Sequence, residues 1–171
     1  MEATLHPYTE LISELKDTIY RLALSLVGDS AEAEDITQDI YERVWRARDA
    51  VLSQSHPKAY ICRMTRNLAI DHLRQRKRLG DEGEDGYRII AMDDGNRLTD
   101  THDMAELTRR IIQQLPERQR IAIHMRDVEG YEIEEIAQTM ESDPASVRMN
   151  LSRGRKAVRE QLLRAMNYGI R

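Results

Sequence analysis

Residues 142–162 read SDPASVRMNLSRGRKAVREQL and combine helix-start signals with a regular apolar stripe. Asp143 suits the N-cap position, where a side-chain oxygen accepts a backbone N–H, and Pro144 suits the first helical position, where its missing N–H costs little. A helix is therefore predicted to begin near residue 144. Its core-facing stripe recurs at helical spacing and consists of Val147, Leu151, Gly154, Val158 and Leu162.

The opposite side of this predicted helix is basic and carries short side chains. At about 100° per residue, the residues that point away from the stripe or flank it are Ala145, Ser146, Arg148, Met149, Ser152, Arg153 and Lys156. A solvated charged face is the simpler interpretation of such a surface. The residues that precede the helix favour a different interpretation of this face.

Residues 131–143, YEIEEIAQTMESD, contain a shorter amphipathic helix built on Ile133, Ile136, Ala137 and Met140. Two helices joined by a turn of a few residues form a helix-turn-helix, whose second helix enters the DNA major groove; a plain αα-hairpin is the alternative. Such turns usually carry Gly after the first helix, where φ is positive. Glu141 stands there instead and costs about 1 kcal/mol if it keeps that conformation. Ser142 stands where an apolar residue is usual.

The composition predicts an all-α protein. Of 171 residues, 33% are charged and 5% are aromatic, with no Phe, and no alternating β-branched run indicates a strand. No stretch is apolar enough to span a bilayer, and the N-terminal residues MEATLHPYTE lack the basic and apolar parts of a signal peptide. We therefore expect a cytoplasmic location.

Cysteine and histidine usage predicts neither a disulfide nor a metal site, and no cofactor is expected. Cys62 is the single cysteine and is interpreted as a packing residue, and the five His are scattered without metal-ligand spacing. An enzyme is not expected either, because no nucleophile, base and orienting group cluster in the sequence and no phosphate-binding Gly loop is present.

Charge is segregated along the chain, although the net charge is only −4. Residues 58–78 hold seven Lys or Arg against one acid, and residues 148–164 hold six against one. Residues 29–49 hold seven acids against three Arg, and residues 81–103 hold eight against two. Two basic and two acidic patches are therefore predicted.

The second acidic block interrupts the helical pattern with Gly80, Gly83, Gly86 and Gly95, so a flexible acidic linker is predicted over residues 80–102. Residues 5–79 form one predicted helical bundle and residues 103–168 a second. The first has helices marked by Leu11 to Val27, Ile36 to Ala47 and Ile61 to Leu73; the second begins with Leu107 to Leu115 and continues with Ile121, Met125 and Val128. The linker acids are hypothesised to compete with DNA for the basic patches; an inert spacer is the alternative.

Three segments together resemble bacterial RNA polymerase sigma factors of the small extracytoplasmic-function (ECF) group of the sigma-70 family. They are AEDITQDIYERVWRARD (33–49), AYICRMTRNLAIDHLRQRKR (59–78) and the run from IIQQLPERQRIAIHMRDVEGYEIEEIAQTM (111–140) to SVRMNLSRGRKAVRE (146–160). The resemblance covers both predicted bundles in the family's order. It implies that residues 5–79 are region 2 and residues 103–168 are region 4. It further implies a factor that binds core RNA polymerase, directs it to promoters and assists strand opening.

The resemblance also assigns expected site residues. For docking on core polymerase they are Asp35, Gln38, Asp39, Tyr41, Glu42 and Trp45. For the −10 element they are Arg63, Arg66, Asn67, Asp71, His72, Arg74, Arg76, Lys77 and Arg78, with Asn67 at the position associated with a captured base. For the −35 element they are Ala145, Ser146, Arg148, Met149, Ser152, Arg153 and Lys156.

Each assignment has a plainer alternative. Trp45 could belong to the domain's own core or share both roles, the Arg and Lys run of residues 63–78 could be a solvated face, and Asn67 could be a helix-terminal cap. Family members commonly have a small polar residue at the position of Met149 and a basic one at Asn150. Met149 cannot hydrogen-bond a base well but can press on a thymine methyl, so an unusual −35 sequence is expected.

The expected partners are core RNA polymerase and promoter DNA, duplex at −35 and melted at −10. The resemblance also allows an anti-sigma factor as a partner. Two alternative functions remain open at the level of sequence: a helix-turn-helix regulator that acts without polymerase, and a sigma-like decoy that binds an anti-sigma factor but not DNA.

Overall fold

The computed structural model describes residues 2–79 and 101–168, with the side chains of residues 7–79 and 103–167. The helices are α1 (Glu2–Val27), α2 (Ser30–Arg46), α3 (Arg48–Leu52), α4 (Pro57–Arg78), α5 (Thr101–Gln113), α6 (Glu117–Ile123), α7 (Ile133–Met140) and α8 (Pro144–Tyr168), with a π-helical segment, His124–Val128, after α6. The described residues contain no strand, as the all-α prediction requires. The acidic linker, and with it the competition hypothesis, lies outside the described residues except at its C-terminal edge, where α5 begins.

The first bundle consists of α1 to α4. Ile19, Leu22, Ile36, Ile40 and Ile61 are fully buried where α1, α2 and α4 meet, as the helical spacing predicts. The chain turns from α1 into α2 at Gly28, whose φ is +74°. The side chain of Asp29 then caps α2 by accepting the N–H of Glu32 at 2.9 Å. The predicted packing residue Cys62 is fully buried, and burial raises the pKa of its thiol to about 12.

The second bundle contains the predicted helix-turn-helix, formed by α7 and α8. Glu141 adopts the left-handed conformation, with φ 50° and ψ 48°, which Gly usually supplies. The N–H of Ser142 then donates to the carbonyl of Ala137 at 2.9 Å. Asp143 accepts the N–H of Ser146 at 2.9 Å, and α8 begins at Pro144, so the predicted cap and helix start are both confirmed.

Gly154 lets α8 approach α6 closely. A Cβ at this position would lie 2.6 Å from Cδ1 of Ile123 and 3.3 Å from Cβ of Gln119. Val147 and Leu151 of the same stripe are buried, whereas Val158 and Leu162 are only half-buried. The predicted stripe therefore packs most tightly in the first half of α8.

Val128, one of the apolar residues that mark the predicted helix after Pro116, is exposed. The helix that starts at Glu117 widens after Ile123 into the π-helical segment, where the N–H of Glu129 donates to the carbonyl of His124 at 3.0 Å, five residues back. A π turn advances less than 100° per residue and shifts the phase of the residues after it. Met125 remains buried, but Val128 is 54% exposed, so its inclusion in the apolar face was wrong.

The two bundles pack against each other along α1 and α4. The hydroxyl of Thr139, on α7, donates to the carbonyl of Ala59, on α4, at 3.3 Å in a buried position. Arg120, on α6, donates to the carbonyl of Leu26 at 2.9 Å. Cys62 and Tyr131 lie 3.7 Å apart, sulfur to hydroxyl oxygen. The sequence indicates two bundles but not this contact. Among the described helices, none has the length and apolar character needed to cross a membrane.

Candidate nucleic-acid interface

The outward face of α8 is accessible over its first four turns. Its buried side rests on Val147 and Leu151, and this fixes which residues face solvent. Ser146 is half-buried, and the predicted −35 residues that are exposed are Ala145, Arg148, Met149, Ser152, Arg153 and Lys156. The structure thus brings these residues together on one basic, unburied surface, which we call the α8 face.

Two contacts fix the orientation of α8. Arg155 makes a bidentate pair with Asp127 of the π-helical segment, with Nε to Oδ2 at 3.0 Å and Nη2 to Oδ1 at 2.5 Å. At the start of the helix, the Ser146 backbone N–H and hydroxyl both donate to Asp143, and these bonds lower the pKa of that carboxyl. Arg155 is therefore a positioning residue, whereas Arg153 has no ion pair within the described residues.

Polar side chains near the start of α8 are tied to the helix itself. The Ser146 hydroxyl donates to Asp143 at 2.8 Å, and the Asn150 amide donates to the carbonyl of Ser146 at 2.8 Å. Arg148 lies 4.0 Å from Glu134 and keeps a largely exposed side chain. Met149 lies between these groups along the helix and is 47% exposed.

The second basic surface runs along the C-terminal half of α4. Asn67, Arg74, Lys77 and Arg78 are exposed, and His72 is half-buried. Asp71 is exposed too and lies 3.6 Å from Arg74. Asn67 is in the interior of α4 and not at its end, so the interpretation as a helix-terminal cap does not hold. Its Oδ1 accepts a hydrogen bond from Arg66 at 3.3 Å.

Arg76, unlike Arg74 and Arg78, contacts the other helices of its own bundle. Its Nη1 lies 3.4 Å from a carboxylate oxygen of Glu32 and 3.5 Å from the carbonyl of Val27. It therefore links the end of α4 to α1 and α2. In this arrangement Arg74 and Arg78 are better placed than Arg76 to meet a phosphate.

Arg63 and Arg66 face the other bundle. Arg66 pairs with Glu117 and with Glu141, both at 3.5 Å, and its side chain is only 13% exposed. Arg63 lies 3.9 Å from Glu141 and 5.0 Å from the ring centre of Tyr60. Two residues expected to hold −10 phosphates are thus paired with carboxylates of the second bundle.

The acidic helix α2 presents its carboxylates opposite its buried stripe. Ile36, Ile40 and Val44 are fully buried, and the exposed predicted residues are Asp35, Gln38, Asp39 and Glu42. Tyr41 is half-buried. Trp45 is 42% exposed, so its assignment to the domain's own core does not hold. Its ring packs edge-on against Tyr8 at 5.2 Å and beneath Arg48 at 4.8 Å.

A buried carboxylate between the bundles has no counterpart among the predicted sites. Glu129 has a side chain only 4% exposed, and it accepts hydrogen bonds from Arg21 at 2.7 and 2.8 Å and from Thr18 at 2.9 Å. Nε2 of His124 lies 3.3 Å away. Burial alone would raise the pKa of Glu129, but hydrogen bonds from Arg21, His124 and Thr18 outweigh it and hold the pKa well below its usual range. Thr18 and Arg21 are over 100 residues away in sequence, so no local signal could have found this site.

Comparison with protein families matches both bundles. Residues 11–79 match the model of Sigma-70 region 2, and residues 105–158 match that of Sigma-70, region 4. The chain belongs to the sigma-70 family. The relatives place it in the ECF group of that family. It is 32% identical over 165 residues to the ECF RNA polymerase sigma factor SigE of Mycolicibacterium smegmatis, covering 94% of this chain and 63% of that relative.

A second sigma-70 relative, SigW of Bacillus subtilis, is 28% identical over 166 residues, which cover 91% of this chain and 88% of that protein. The chain thus spans less than two thirds of the SigE relative but most of SigW. The sigma factor RpoE of Bartonella quintana, solved in complex with the anti-sigma factor NepR, superposes with a TM-score of 0.72 at 21% identity, over 91% of this chain and 96% of that one. This likeness shows that the two share a fold.

Proposed function

We propose that this family member is a transcription initiation factor, which binds core RNA polymerase, directs it to promoters through their −35 and −10 elements and assists strand opening. The observation that carries the proposal is the α8 face, a basic surface on the second helix of a helix-turn-helix that no part of the described protein covers. We assign residues 5–79 to region 2, residues 80–102 to the linker and residues 103–168 to region 4. This function needs no catalytic residue of the chain and places the protein in the cytoplasm with the polymerase.

Recognition of the −35 element would begin with phosphate contacts. Arg148, Arg153 and Lys156 are the basic residues of the α8 face and can neutralise phosphates beside the major groove. Ser152 is short enough to let the helix approach the base edges. Arg155 is assigned no phosphate contact, because its guanidinium is paired with Asp127.

Strand opening would rely on Asn67 and the basic end of α4. An unstacked base costs a few kcal/mol, which contacts to its edges must offset. An amide both donates and accepts at a base edge, so the exposed Asn67 can bind one. Arg74, Lys77 and Arg78 lie beyond it along α4, where phosphates of the separated strand can follow the helix.

Docking on polymerase would use α2. The exposed carboxylates can form paired hydrogen bonds with arginines of a partner, and Trp45 offers the large amphipathic contact that dominates many interfaces. A regulator that acts without polymerase would have no use for this surface. The exposure of Trp45 therefore favours the initiation factor over that alternative, while the uncovered α8 face disfavours a decoy that does not bind DNA.

The test is a binding experiment with purified core polymerase and duplex −35 DNA, in which Arg153→Ala is compared with Arg159→Ala. Arg159 is exposed on the same helix but, six residues further on, points to a different side. Arg153→Ala should weaken −35 binding and leave polymerase affinity unchanged, and Arg159→Ala should change neither. A phosphate contact would also flatten the salt dependence, whereas a base contact would relax one position by about 1 to 3 kcal/mol. Unchanged −35 binding by Arg153→Ala would contradict the assignment.

A further inference from the structure

The α8 face contains an exposed apolar pair that folding does not require. Ala145 and Met149 are four residues apart, so they are neighbours on the helix surface, and both are exposed. They lie in the first two turns of α8, the part of a recognition helix that meets base edges. A methionine that is 47% exposed on such a surface contributes little to the core and can contribute to a contact.

The polar groups beside this pair are partly engaged within the helix. Ser146 donates its hydroxyl proton to Asp143, and Asn150 donates one of its two amide hydrogens to the carbonyl of Ser146. Met149 offers only a thioether, which is a weak acceptor. In the major groove the one apolar group of the four base pairs is the C5-methyl of thymine.

We propose that Met149, with Ala145, reads a thymine methyl in the −35 element and is the specificity-determining residue of the first two turns of α8. This inference rests on the proposed function, because it requires α8 to lie in the groove. Arg148 and Arg153 position the helix in the groove through phosphate contacts. Met149 then contacts the thymine methyl where one is present. The promoter therefore contains, on one strand or the other, a thymine whose replacement by deoxyuridine lowers affinity.

The experiment uses the complex of the full chain with core polymerase and a −35 duplex selected from a randomised library. Each thymine in turn is replaced by deoxyuridine, which lacks only the methyl, and affinity is measured. At one thymine the parent should lose about fourfold in affinity, the effect of exposing one buried methyl. Met149→Ala should bind the thymine duplex more weakly and be insensitive to the replacement.

Met166→Ala is the matched control. Met166 is on the same helix, is 48% exposed, and lies 17 residues further along, about 25 Å away at 1.5 Å per residue. It should behave as the parent does. If the parent binds thymine and deoxyuridine duplexes equally at every position while Arg153→Ala still loses −35 binding, this inference is wrong and the proposed function stands. If Arg153→Ala retains full −35 binding, the proposed function fails instead.

A second inference comes from a different observation, the pairing of Arg63 and Arg66 with carboxylates of the second bundle. The −35 and −10 elements are about 25 base pairs apart, which is about 85 Å along the duplex at 3.4 Å per base pair. A compact chain of this length has a radius of gyration of only about 15 Å. The packed arrangement therefore has to open before both elements can be bound at once.

We infer that Glu141 holds the packed arrangement closed by occupying arginines that would otherwise bind −10 phosphates. Its carboxylate lies 3.5 Å from Arg66 and 3.9 Å from Arg63. This contact gives a reason for Glu141 to stand at a left-handed position that favours Gly. The closing residue lies in the turn of the helix-turn-helix, so opening releases Arg63 and Arg66 and also lets the α8 face, which is already uncovered, reach the distant −35 element.

The test is the affinity of the full chain, without polymerase, for a single-stranded oligonucleotide of the −10 sequence. Glu141→Gln keeps the size of the side chain and removes its charge. Glu106→Gln is the control, because Glu106 also pairs with two arginines, Arg109 at 2.6 Å and Arg110 at 3.3 Å, on α5. Glu141→Gln should raise affinity about twofold to tenfold over that control, as expected when two weak ion pairs to a carboxylate that is 56% exposed are removed. Equal affinities for the two variants would refute the closing role of Glu141.

Discussion

Glu129→Gln tests how the two bundles are held together. The substitution keeps the size of a side chain that is only 4% exposed but removes the charge that Arg21 pairs with and replaces one acceptor oxygen by a donor. Hydrogen bonds to charged groups contribute about 1.5 to 3 kcal/mol each. The Arg21 side chain is 47% exposed, so solvent screens its share and we use the lower part of that range. The expected loss is about 2 kcal/mol in the free energy of unfolding.

The assay is urea denaturation followed by far-UV circular dichroism at neutral pH. Glu14→Gln serves as the control, because Glu14 pairs with Lys58 at 2.6 Å but both side chains are about half-exposed. That variant should lose less than about 1 kcal/mol. If Glu129→Gln is as stable as the parent, the buried network does not hold the bundles together and this reasoning fails.

The same pair of proteins gives a pH dependence. The pKa of Glu129 is lowered in the folded protein, so the stability it contributes is present above the ordinary carboxyl pKa of 4.5 and is lost as pH falls through the folded pKa. The parent and Glu129→Gln should therefore differ in free energy of unfolding by a constant amount between pH 7 and about pH 5. That difference should become smaller below this range. If the difference in free energy of unfolding grew on acidification, the pKa of Glu129 would not be lowered in the folded protein.

Three further predictions concern single positions. Gly154→Ala should destabilise the fold by about 1 to 3 kcal/mol through overpacking. The loss should be smaller in an Ile123→Val background, because this change removes the Cδ1 that the new methyl meets. A double-mutant cycle measured by urea denaturation that shows no coupling would contradict the close approach of α8 to α6. Trp45→Ala should weaken binding to core polymerase by about 2 kcal/mol. It should change folding stability by less than about 1 kcal/mol, since Trp45 is exposed. A loss of stability with unchanged polymerase affinity would show that Trp45 serves the domain's own core instead. Asn67→Ala should spare closed promoter complexes and reduce open ones, as measured by permanganate reactivity of unpaired thymines; equal reactivity in parent and variant removes Asn67 from the melting step.

The features predicted best from sequence are those fixed by neighbours in the chain. The start of α8 depends on Asp143 and Pro144, which are adjacent, and its buried side depends on a spacing that repeats within the helix. The left-handed Glu141 follows from the turn geometry of a helix-turn-helix. The exposure of the α8 face then follows from the burial of its opposite side.

The features that sequence could not supply depend on distant contacts. In the sequence, Glu129 resembles a solvated acid in an exposed turn. In the structure it is bound by Thr18 and Arg21 of α1, which lie more than 100 residues earlier in the chain. The widened turn that exposes Val128 has no signal in residue spacing, because periodicity analysis assumes a constant rotation per residue. Arg63 and Arg66 show the same limit, since their type indicates a phosphate contact and only the packing of the bundles reveals Glu117 and Glu141. The roles assigned to individual polymerase- and DNA-binding residues remain predictions.

Run-off transcription decides whether the chain acts as an initiation factor. Purified core polymerase is combined with a library of randomised promoters, with and without the full chain, and the transcribed templates are sequenced. An initiation factor should give transcripts only in the presence of the chain, from templates that share two motifs at the positions of the −35 and −10 elements. Binding of the chain to duplex DNA, with no transcript from any template and no association with core polymerase, would contradict it and favour a regulator that acts without polymerase.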